Sequence, residues 1–154
     1  MKAVIQRVVD ASVAVDGIVK GCIKSGLLVY LGVANDDSET DADWLSEKTA
    51  NLRIFDDADG KMNLSLKDIA ANTSAGVLAV SQFTLLGDAR KGRRPSWNGA
   101  APPEKAKQLY EYFMAKIREQ GLVCESGEFQ AHMKVTYTND GPVTILLDSE
   151  LISL

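Results

Sequence analysis

The amino-acid sequence predicts an α+β fold, in which a mainly antiparallel β-sheet packs with two helices in a single domain of residues 1–154. Hairpin signals outnumber strand–helix–strand units, which favours antiparallel pairing. The chain shows no internal repeat, low-complexity stretch or linker that would divide it. A domain of this size buries about 68–70% of its unfolded surface, so it needs no disulfide or metal to fold.

The first three strands are predicted by alternation, a turn signal and an apolar run. Residues 2–15 alternate between apolar and polar side chains, as a half-buried strand does. Asp16-Gly17 marks a hairpin turn that leads into a second strand. Residues 26–33 form a short apolar run, which is typical of a buried strand.

A helix is predicted next, with Ser38 or Thr40 as its N-cap and Asp41 or Asp43 three residues later. Its apolar stripe follows helical spacing and contains Trp44, Leu45, Thr49 and Leu52. Short strands at 52–55 and 61–64 flank an Asp-rich segment. That segment lacks the ligand pattern of a calcium loop, and we interpret it as a polar hairpin turn.

The second half of the chain contains the strongest strand prediction, residues 77–86. The glycines and Pro95 of residues 87–101 predict an irregular loop. Pro102 and Pro103 begin a second helix, and Gly121 ends it. The core stripe of that helix contains Ala106, Leu109, Phe113 and Ile117. The remaining strands are predicted near 122–126, 130–138 and 143–148.

The composition narrows the classes of function. No apolar run approaches the roughly 18 residues of a membrane-spanning helix, and the N-terminus reads on as a strand without a signal-peptide pattern. We therefore expect a cytoplasmic protein, away from membranes, whose two cysteines, Cys22 and Cys124, are buried reduced thiols. One histidine (His132) and two separated cysteines offer no metal-ligand spacing, and we expect neither a metal nor another cofactor.

Charge is distributed unevenly along the chain. The net charge is −4, yet residues 86–98 carry four cations against one anion, so this segment has a charge of +3 and the remainder −7. The cations are Arg90, Lys91, Arg93 and Arg94. Such a run is commonly solvated surface, but its glycine and the nearby Trp97 also suit contacts to phosphate and ribose.

Residues 81–85, Ser-Gln-Phe-Thr-Leu, bring polar side chains into the predicted strand 77–86. Alternation would place Ser81, Phe83 and Leu85 on one face, and Gln82 and Thr84 on the other. These polar groups either bond to neighbouring backbone or form the wall of a substrate pocket. A nucleophilic Ser81 or Thr84 needs an activating base, and no third residue is evident to orient His132, so a Ser-His-Asp triad is poorly supported.

Gly141-Pro142 lies between two strand-like runs, and we interpret it as the turn of a hairpin. The trans peptide is the default for an X-Pro bond, since only about 5–6% of such bonds are cis in folded proteins. Proline cannot donate to a central ladder, which places the dipeptide at an edge or a tip. A protruding tip can enter another subunit.

Several motifs in this order resemble those of the D-aminoacyl-tRNA deacylases, also called D-tyrosyl-tRNA deacylases. The two signature motifs are Ser-Gln-Phe-Thr-Leu at 81–85 and Asn-x-Gly-Pro-Val-Thr at 139–144. The N-terminal Met-Lys-Ala-Val-Ile-Gln-Arg-Val, the basic stretch at 87–96 and Ala-Ala-Pro-Pro at 100–103 are also similar, as is the length. The segment 129–133 departs from the family, which more usually has Gly after the Phe and a residue other than His before the Met.

The resemblance implies a homodimer of compact, barrel-like domains that hydrolyses the ester between a D-amino acid, or the achiral glycine, and tRNA. It implies a cis Gly141-Pro142 that enters the partner's pocket and rejects L-amino acids by exclusion. We assign catalysis to the segment 81–84, with backbone N–H groups near Phe83 polarising the carbonyl and Ser81 and Gln82 shaping the pocket. Met133 would line the pocket, and the basic loop would bind tRNA.

Three alternatives stay open at this point. In one, Thr84 of the same enzyme is a covalent nucleophile. In another, the protein is a non-catalytic RNA-binding module that uses only the basic loop. In the third, it hydrolyses small esters or peptides and needs no RNA.

Overall fold

The computed structural model describes residues 1–153, so Leu154 of the predicted domain lies outside the described residues. The chain forms eight strands, three α-helices and two 3₁₀ turns within this range. In chain order these are β1 (Lys2–Val15), β2 (Ile18–Ile23), β3 (Gly26–Gly32), α1 (Glu39–Asn51), β4 (Phe55–Asp56), β5 (Met62–Leu64), α2 (Leu66–Ala70), β6 (Gly76–Ser81), a 3₁₀ turn (Phe83–Leu86), α3 (Pro103–Glu119), β7 (Val123–Ser126), β8 (Lys134–Asp148) and a 3₁₀ turn (Ser149–Ser153).

Strand β1 organises the sheet, because β2, β3 and β8 all pair with it antiparallel. The order continues from β3 to β6 and β7 through two parallel pairings. Strands β2 and β7 then approach so closely that a Cβ on Gly21 would collide with the backbone of Ser126. The sheet is therefore mixed and nearly closed, which confirms the barrel-like α+β fold with mostly antiparallel pairs.

Two apolar clusters fill the fold, one on each side of the sheet. The outer cluster lies between the sheet and helices α1 and α3, and contains Leu45, Phe113 and Ile117. The inner cluster fills the barrel, and contains Val13 and Leu78, with Tyr30 and Met133 packed at its margin. No helix in residues 1–153 is long and apolar enough to cross a membrane.

The predicted starts of both helices and the end of the second are confirmed, whereas α1 ends at Asn51, so Leu52 of its predicted stripe is the C-cap residue. Ser38 is the N-cap of α1, and its backbone N–H donates to the Asp41 carboxylate at 2.8 Å in a capping box. Pro103 is the first residue of α3, and Gly121 follows its end with φ of +80°. The five-residue helix α2 was not predicted; it begins with a second capping box at Ser65.

Three predicted strand limits are wrong. The short strand predicted at 52–55 is β4 at Phe55–Asp56, and residues 52–54 form no strand. Strand β6 ends at Ser81, five residues before the predicted end, and the following residues form a 3₁₀ turn. This turn folds over Gly32, where a Cβ would lie 2.9 Å from the Gln82 carbonyl oxygen. The face assignment by alternation beyond Ser81 is therefore also wrong. Residues 130–133 form no strand, and β8 begins at Lys134.

The predicted hairpin at Gly141-Pro142 is also wrong, because a single strand passes through the dipeptide. Both halves of β8 pair with β1, with Asn139 opposite Val8 and Thr144 opposite Gln6. The intervening residues bulge out of the ladder. The Asn139 side chain closes the base of this bulge by donating to the Arg7 carbonyl at 3.1 Å and the Val143 carbonyl at 3.0 Å.

Candidate active site

A cavity of about 780 Å³ opens where β3 and β6 end beside the N-terminus of α3. Ser81, Gln82 and Phe83 form one part of its wall. The other lining residues are Tyr30, Leu31, Val33, Val80, Ala100, Ala101, Pro103, Ala106, residues 129–133 and Val135. No Asp, Glu, Lys or Arg lines this cavity in the described part of the chain, so its polar groups are amides, hydroxyls, one imidazole and main chain.

The backbone around Phe83 leaves two N–H groups without a backbone acceptor, and one of them, that of Phe83, belongs to a residue of the cavity wall. Gln82 makes the last contact to the sheet, its N–H donating to the Leu31 carbonyl at 2.8 Å. Phe83 and Thr84 then begin the 3₁₀ turn, where the first N–H groups have no acceptor within the turn. Across residues 1–153 neither N–H donates to another backbone carbonyl. They are available to a ligand oxygen.

The wall that faces this turn comes from the segment before α3 and from residues 129–133. The Ala101 N–H donates to the Val33 carbonyl at 2.9 Å, which ties that segment to the end of β3. The Phe129 ring lies 6.0 Å from the Tyr110 ring, whose hydroxyl donates to the Ala79 carbonyl at 2.8 Å. Both sides of the cavity are thus fixed to the central strands.

Met133 and His132 lie in the same wall with different exposure. Met133 lines the cavity and packs beside Gly127, where a Cβ would lie 2.5 Å from its sulfur. His132 is exposed at the rim. In the described residues no hydrogen bond joins His132 to Ser81 or Thr84, and Thr84 is not among the residues that line the cavity. The geometry brings together four predicted site residues, Ser81, Gln82, Phe83 and Met133, and leaves Thr84 outside.

Tyr30 adds a polar group that the sequence did not single out. Burial, together with repulsion from and hydrogen bonding to the neighbouring Tyr137 hydroxyl, raises the pKa of Tyr30 to about 12. Tyr30 therefore remains an uncharged hydroxyl at neutral pH. No carboxylate or amine side chain lines the cavity in the described residues, so it can position and polarise a substrate, and its one imidazole is that of the exposed His132 at the rim.

Gly141-Pro142 lies away from this cavity in the same chain. Its peptide bond is cis, both residues are exposed, and neither lines the cavity. Gly141 has a φ of +121°, a conformation that side-chain-bearing residues rarely adopt. A Cβ there would lie 2.9 Å from the Val143 side chain and 3.1 Å from Arg7 Nη2. The dipeptide is therefore exposed to solvent and packs closely on a support formed by Val143 and Arg7.

Arg7 is the centre of that support, and sequence reasoning missed it. Its side chain is 9% exposed. Nη1 donates to the Ile54 carbonyl at 2.7 Å, and Nε lies 3.3 Å from the Asp140 carbonyl and 3.1 Å from its carboxylate. A weaker contact joins Nη1 to Asp56 at 3.4 Å. The signal was present in β1, where Ala3 and Ile5 are buried and Arg7 follows in the same alternation.

The basic loop has one internally neutralised cation and three free ones. Arg90 donates to both carboxylate oxygens of Asp88, at 2.9 and 2.7 Å, which lowers the pKa of Asp88 to about 2. Lys91, Arg93 and Arg94 are exposed, and none of them forms an ion pair within residues 1–153. The loop thus offers three unpaired cations to an anionic partner. No group of three or more His, Cys, Asp or Glu in this range could hold a metal ion.

Comparison with known proteins gives full-length matches. A family model described as D-Tyr-tRNA(Tyr) deacylase matches residues 4–148. A D-aminoacyl-tRNA deacylase of Koribacter versatilis is 60% identical over 150 residues, which cover 97% of this chain and 98% of the relative. The protein of the same description from Thermotoga petrophila is 58% identical over 149 residues, 97% of each chain.

Solved structures agree with these matches. A structure titled "c-Myc DNA Unwinding Element Binding Protein" is similar with a TM-score of 0.87 and 39% identity, covering 96% of this chain and 98% of that one. A probable eukaryotic D-amino acid tRNA deacylase is similar with a TM-score of 0.80 and 16% identity, covering 95% and 97%. At that identity the second similarity shows the fold alone.

Proposed function

The chain belongs to the D-Tyr-tRNA(Tyr) deacylase family, and from this premise we propose that it hydrolyses the ester between a D-amino acid and tRNA. The observation that carries the proposal is the cavity at Ser81–Phe83, which has the unpaired backbone N–H of Phe83 beside it and no charged side chain in its described lining. An ester is labile enough that positioning and oxyanion stabilisation can supply most of the catalysis.

The reaction proceeds by attack of water on the ester carbonyl carbon. The Phe83 N–H stabilises the oxyanion, while Ser81 and Gln82 shape the pocket and Met133 lines it. The carbon–oxygen bond to the ribose then breaks, the ribose oxygen takes a proton, and the free amino acid leaves. The terminal 2′-hydroxyl of the tRNA assists the water, in keeping with a cavity that lacks a carboxylate base.

The stereochemical filter is Gly141-Pro142 of a second subunit. The dipeptide, which we call the wedge, is exposed and does not line the cavity of its own chain. It can therefore act on a substrate only in the cavity of a partner subunit. Its two carbonyls would occupy the space that an L-side chain needs, and the glycyl ester, which has no side chain, would escape the filter. Selectivity by exclusion requires a rigid wedge, and Arg7 and Asn139 provide its support.

A homodimer is the assembly that this filter requires. Strand β8 is an edge strand of the described sheet, 15 residues long, and its outward Leu146 is 76% exposed. Long edges with exposed apolar residues are usually covered in the native assembly. We therefore propose that a second copy covers this region and inserts its wedge.

The tRNA body contacts the basic loop through Lys91, Arg93 and Arg94, with Arg90 contributing less because Asp88 neutralises it. Because aminoacyl-tRNA serves translation, we propose the cytoplasm as the compartment. Free thiols at Cys22 and Cys124 are consistent with a reducing environment, but only Cys124 is buried, so the expectation of a buried Cys22 is wrong.

The test is the rate of amino acid release from matched D- and L-tyrosyl-tRNA, with glycyl-tRNA as a third substrate. The proposal predicts hydrolysis of the D-ester, slower hydrolysis of the glycyl ester, and none of the L-ester. Equal rates on both tyrosyl esters would indicate a non-selective esterase and contradict the wedge. Binding of tRNA without any hydrolysis would indicate an RNA-binding module. Full activity of Thr84→Ala would exclude a covalent Thr84.

A further inference from the structure

Two exposed aromatic rings stand between the cavity and the basic loop. Phe83 is 55% exposed and Trp97 is 42% exposed, and their ring centroids lie 5.3 Å apart with an edge-to-face angle of 74°. Phe83 also lines the cavity. We call this pair the aromatic platform. Adjacent exposed aromatic rings offer flat faces on which the ring of a ligand can stack.

The position of Trp97 is fixed by the backbone around it. A Cβ on Gly87 would lie 2.7 Å from the Trp97 ring, so the ring rests directly on the glycine main chain. Asp88 and Ser96 exchange two backbone hydrogen bonds of 2.9 Å, which close the basic loop just before Trp97. The Ala100 N–H then donates to the Trp97 carbonyl at 2.9 Å. The backbone on both sides of Trp97 is therefore fixed by hydrogen bonds, and its ring packs on Gly87.

The surroundings identify the chemistry of the partner. The loop closed by Asp88 and Ser96 carries the free cations Lys91, Arg93 and Arg94, so phosphate is attracted beside the rings. Exposed aromatic faces next to cations stack the bases of single-stranded nucleic acid, because every base has a π-face. The body of the protein is acidic, with a net charge of −4 over the whole chain, which disfavours phosphate elsewhere.

We propose that the aromatic platform stacks the nucleotide immediately upstream of the acylated adenosine in the single-stranded 3′ end of tRNA. This inference rests on the proposed function, which places the acylated adenosine in the cavity beside Phe83. The strand then runs from the cavity over Trp97 to the cations of the loop. The platform orients the RNA, whereas hydrolysis of the ester takes place in the cavity.

The first test compares two substrates that differ only in the upstream nucleotides. The values of kcat/KM are measured on D-tyrosyl-tRNA and on the short ester of D-tyrosine with adenosine. For Trp97→Leu we expect a loss on tRNA about tenfold larger than the loss on the short ester, since stacking of one base contributes a factor of about 5 to 160. Trp97→Phe, which keeps an aromatic ring, should recover most of the difference.

Trp44→Leu is the matched control. Trp44 is the chain's other tryptophan, packs against the outer core and lies near Lys48, whose ammonium is 5.8 Å from its ring. It should leave the ratio between the two substrates as in the wild type. Equal losses of Trp97→Leu on both substrates would overturn the proposal, as would a change of oligomeric state in that variant, because the platform would then be a contact between subunits.

A second measurement does not depend on hydrolysis. In a Trp44→Phe background, Trp97 is the only remaining tryptophan, and base stacking should quench its fluorescence. We expect quenching by uncharged tRNA and by the trinucleotide CCA, and much less by adenosine alone. Quenching without deacylation would support the platform while the proposed enzyme activity fails. Deacylation without quenching by tRNA would overturn the platform and leave the enzyme activity standing.

Discussion

Replacement of Arg7 by lysine should weaken both the fold and the stereochemical filter. Arg7 joins three segments, because its guanidinium contacts the Ile54 carbonyl, Asp140 and Asp56 at once. A hydrogen bond from a charged group to a buried carbonyl contributes about 1.5–3 kcal/mol. The two carboxylates are about half exposed, so each adds only about 0–1 kcal/mol after solvent screening.

Lysine keeps the charge but has no planar fork, so it can satisfy only one of these partners well. We therefore expect Arg7→Lys to lower the free energy of unfolding by about 2 kcal/mol, measured by urea denaturation. The Asp140 end of the bulge loses its support at the same time. The ratio of D- to L-tyrosyl-tRNA hydrolysis should fall at least about tenfold, which corresponds to about 1.4 kcal/mol of discrimination.

Arg53→Lys provides the matched control. Arg53 is exposed and bonds to the Asn63 carbonyl at 2.8 Å in the short β4–β5 hairpin, without contact to the wedge. That change should cost less than about 0.5 kcal/mol and leave the D/L ratio unaltered. If Arg7→Lys behaves like Arg53→Lys in both assays, the support of the wedge by Arg7 is refuted.

Three further predictions concern other parts of the molecule. Gly141→Ala places an alanine at a φ of +121° and should lower the free energy of unfolding by about 1–3 kcal/mol. It should also raise hydrolysis of the L-ester. An unchanged D/L ratio would contradict the role of this backbone. Asp88→Asn should free Arg90 and steepen the salt dependence of tRNA binding by about 0.7 in log–log slope, a change absent if the pair is unimportant. Because the Asp88 pKa is lowered to about 2, the wild-type pair persists at neutral pH and is lost only as pH falls toward that value. Burial raises the pKa of Cys124 to about 11, so an alkylating reagent at pH 8 should label only the exposed Cys22 until the chain unfolds. The contribution of Cys124 to stability is lost as pH rises from about 9 toward 11. Two fast-reacting thiols in the native state would contradict the burial of Cys124.

Local signals in the sequence were sufficient for most of the fold. The capping residue Ser38, the paired prolines before α3 and Gly121 after it each act within a few residues, and the structure has them where they were predicted. The end of β6 could not be predicted in this way. It depends on Gly32 of a neighbouring strand, whose missing side chain makes room for the 3₁₀ turn.

For the candidate site, too, the sequence predicted the features that depend on local motifs and missed those that depend on residues far apart in the chain. Motif recognition named Ser81–Phe83 and Met133, which do meet in one cavity. It also named Gly141-Pro142, whose surroundings depend on Arg7, 134 positions earlier in the chain. Only the alternation of β1 indicated that the side chain of Arg7 would be buried. The hairpin interpretation failed because both halves of β8 pair with the same strand, β1. That pairing depends on the tertiary structure and not on the local sequence around Gly141-Pro142.

The most direct test of the account is a mixed dimer. One subunit carries Ser81→Trp, which fills its own cavity, and the other carries Gly141→Ala, which alters its own wedge; the two are purified together through different tags. If the wedge acts on the partner's cavity, the one open cavity receives an intact wedge, and the dimer should regain wild-type rejection of L-tyrosyl-tRNA. Homodimers of Ser81→Trp, inactive on both esters, are the control. Selectivity as poor as that of Gly141→Ala homodimers would show that the wedge serves its own chain and would contradict the central claim.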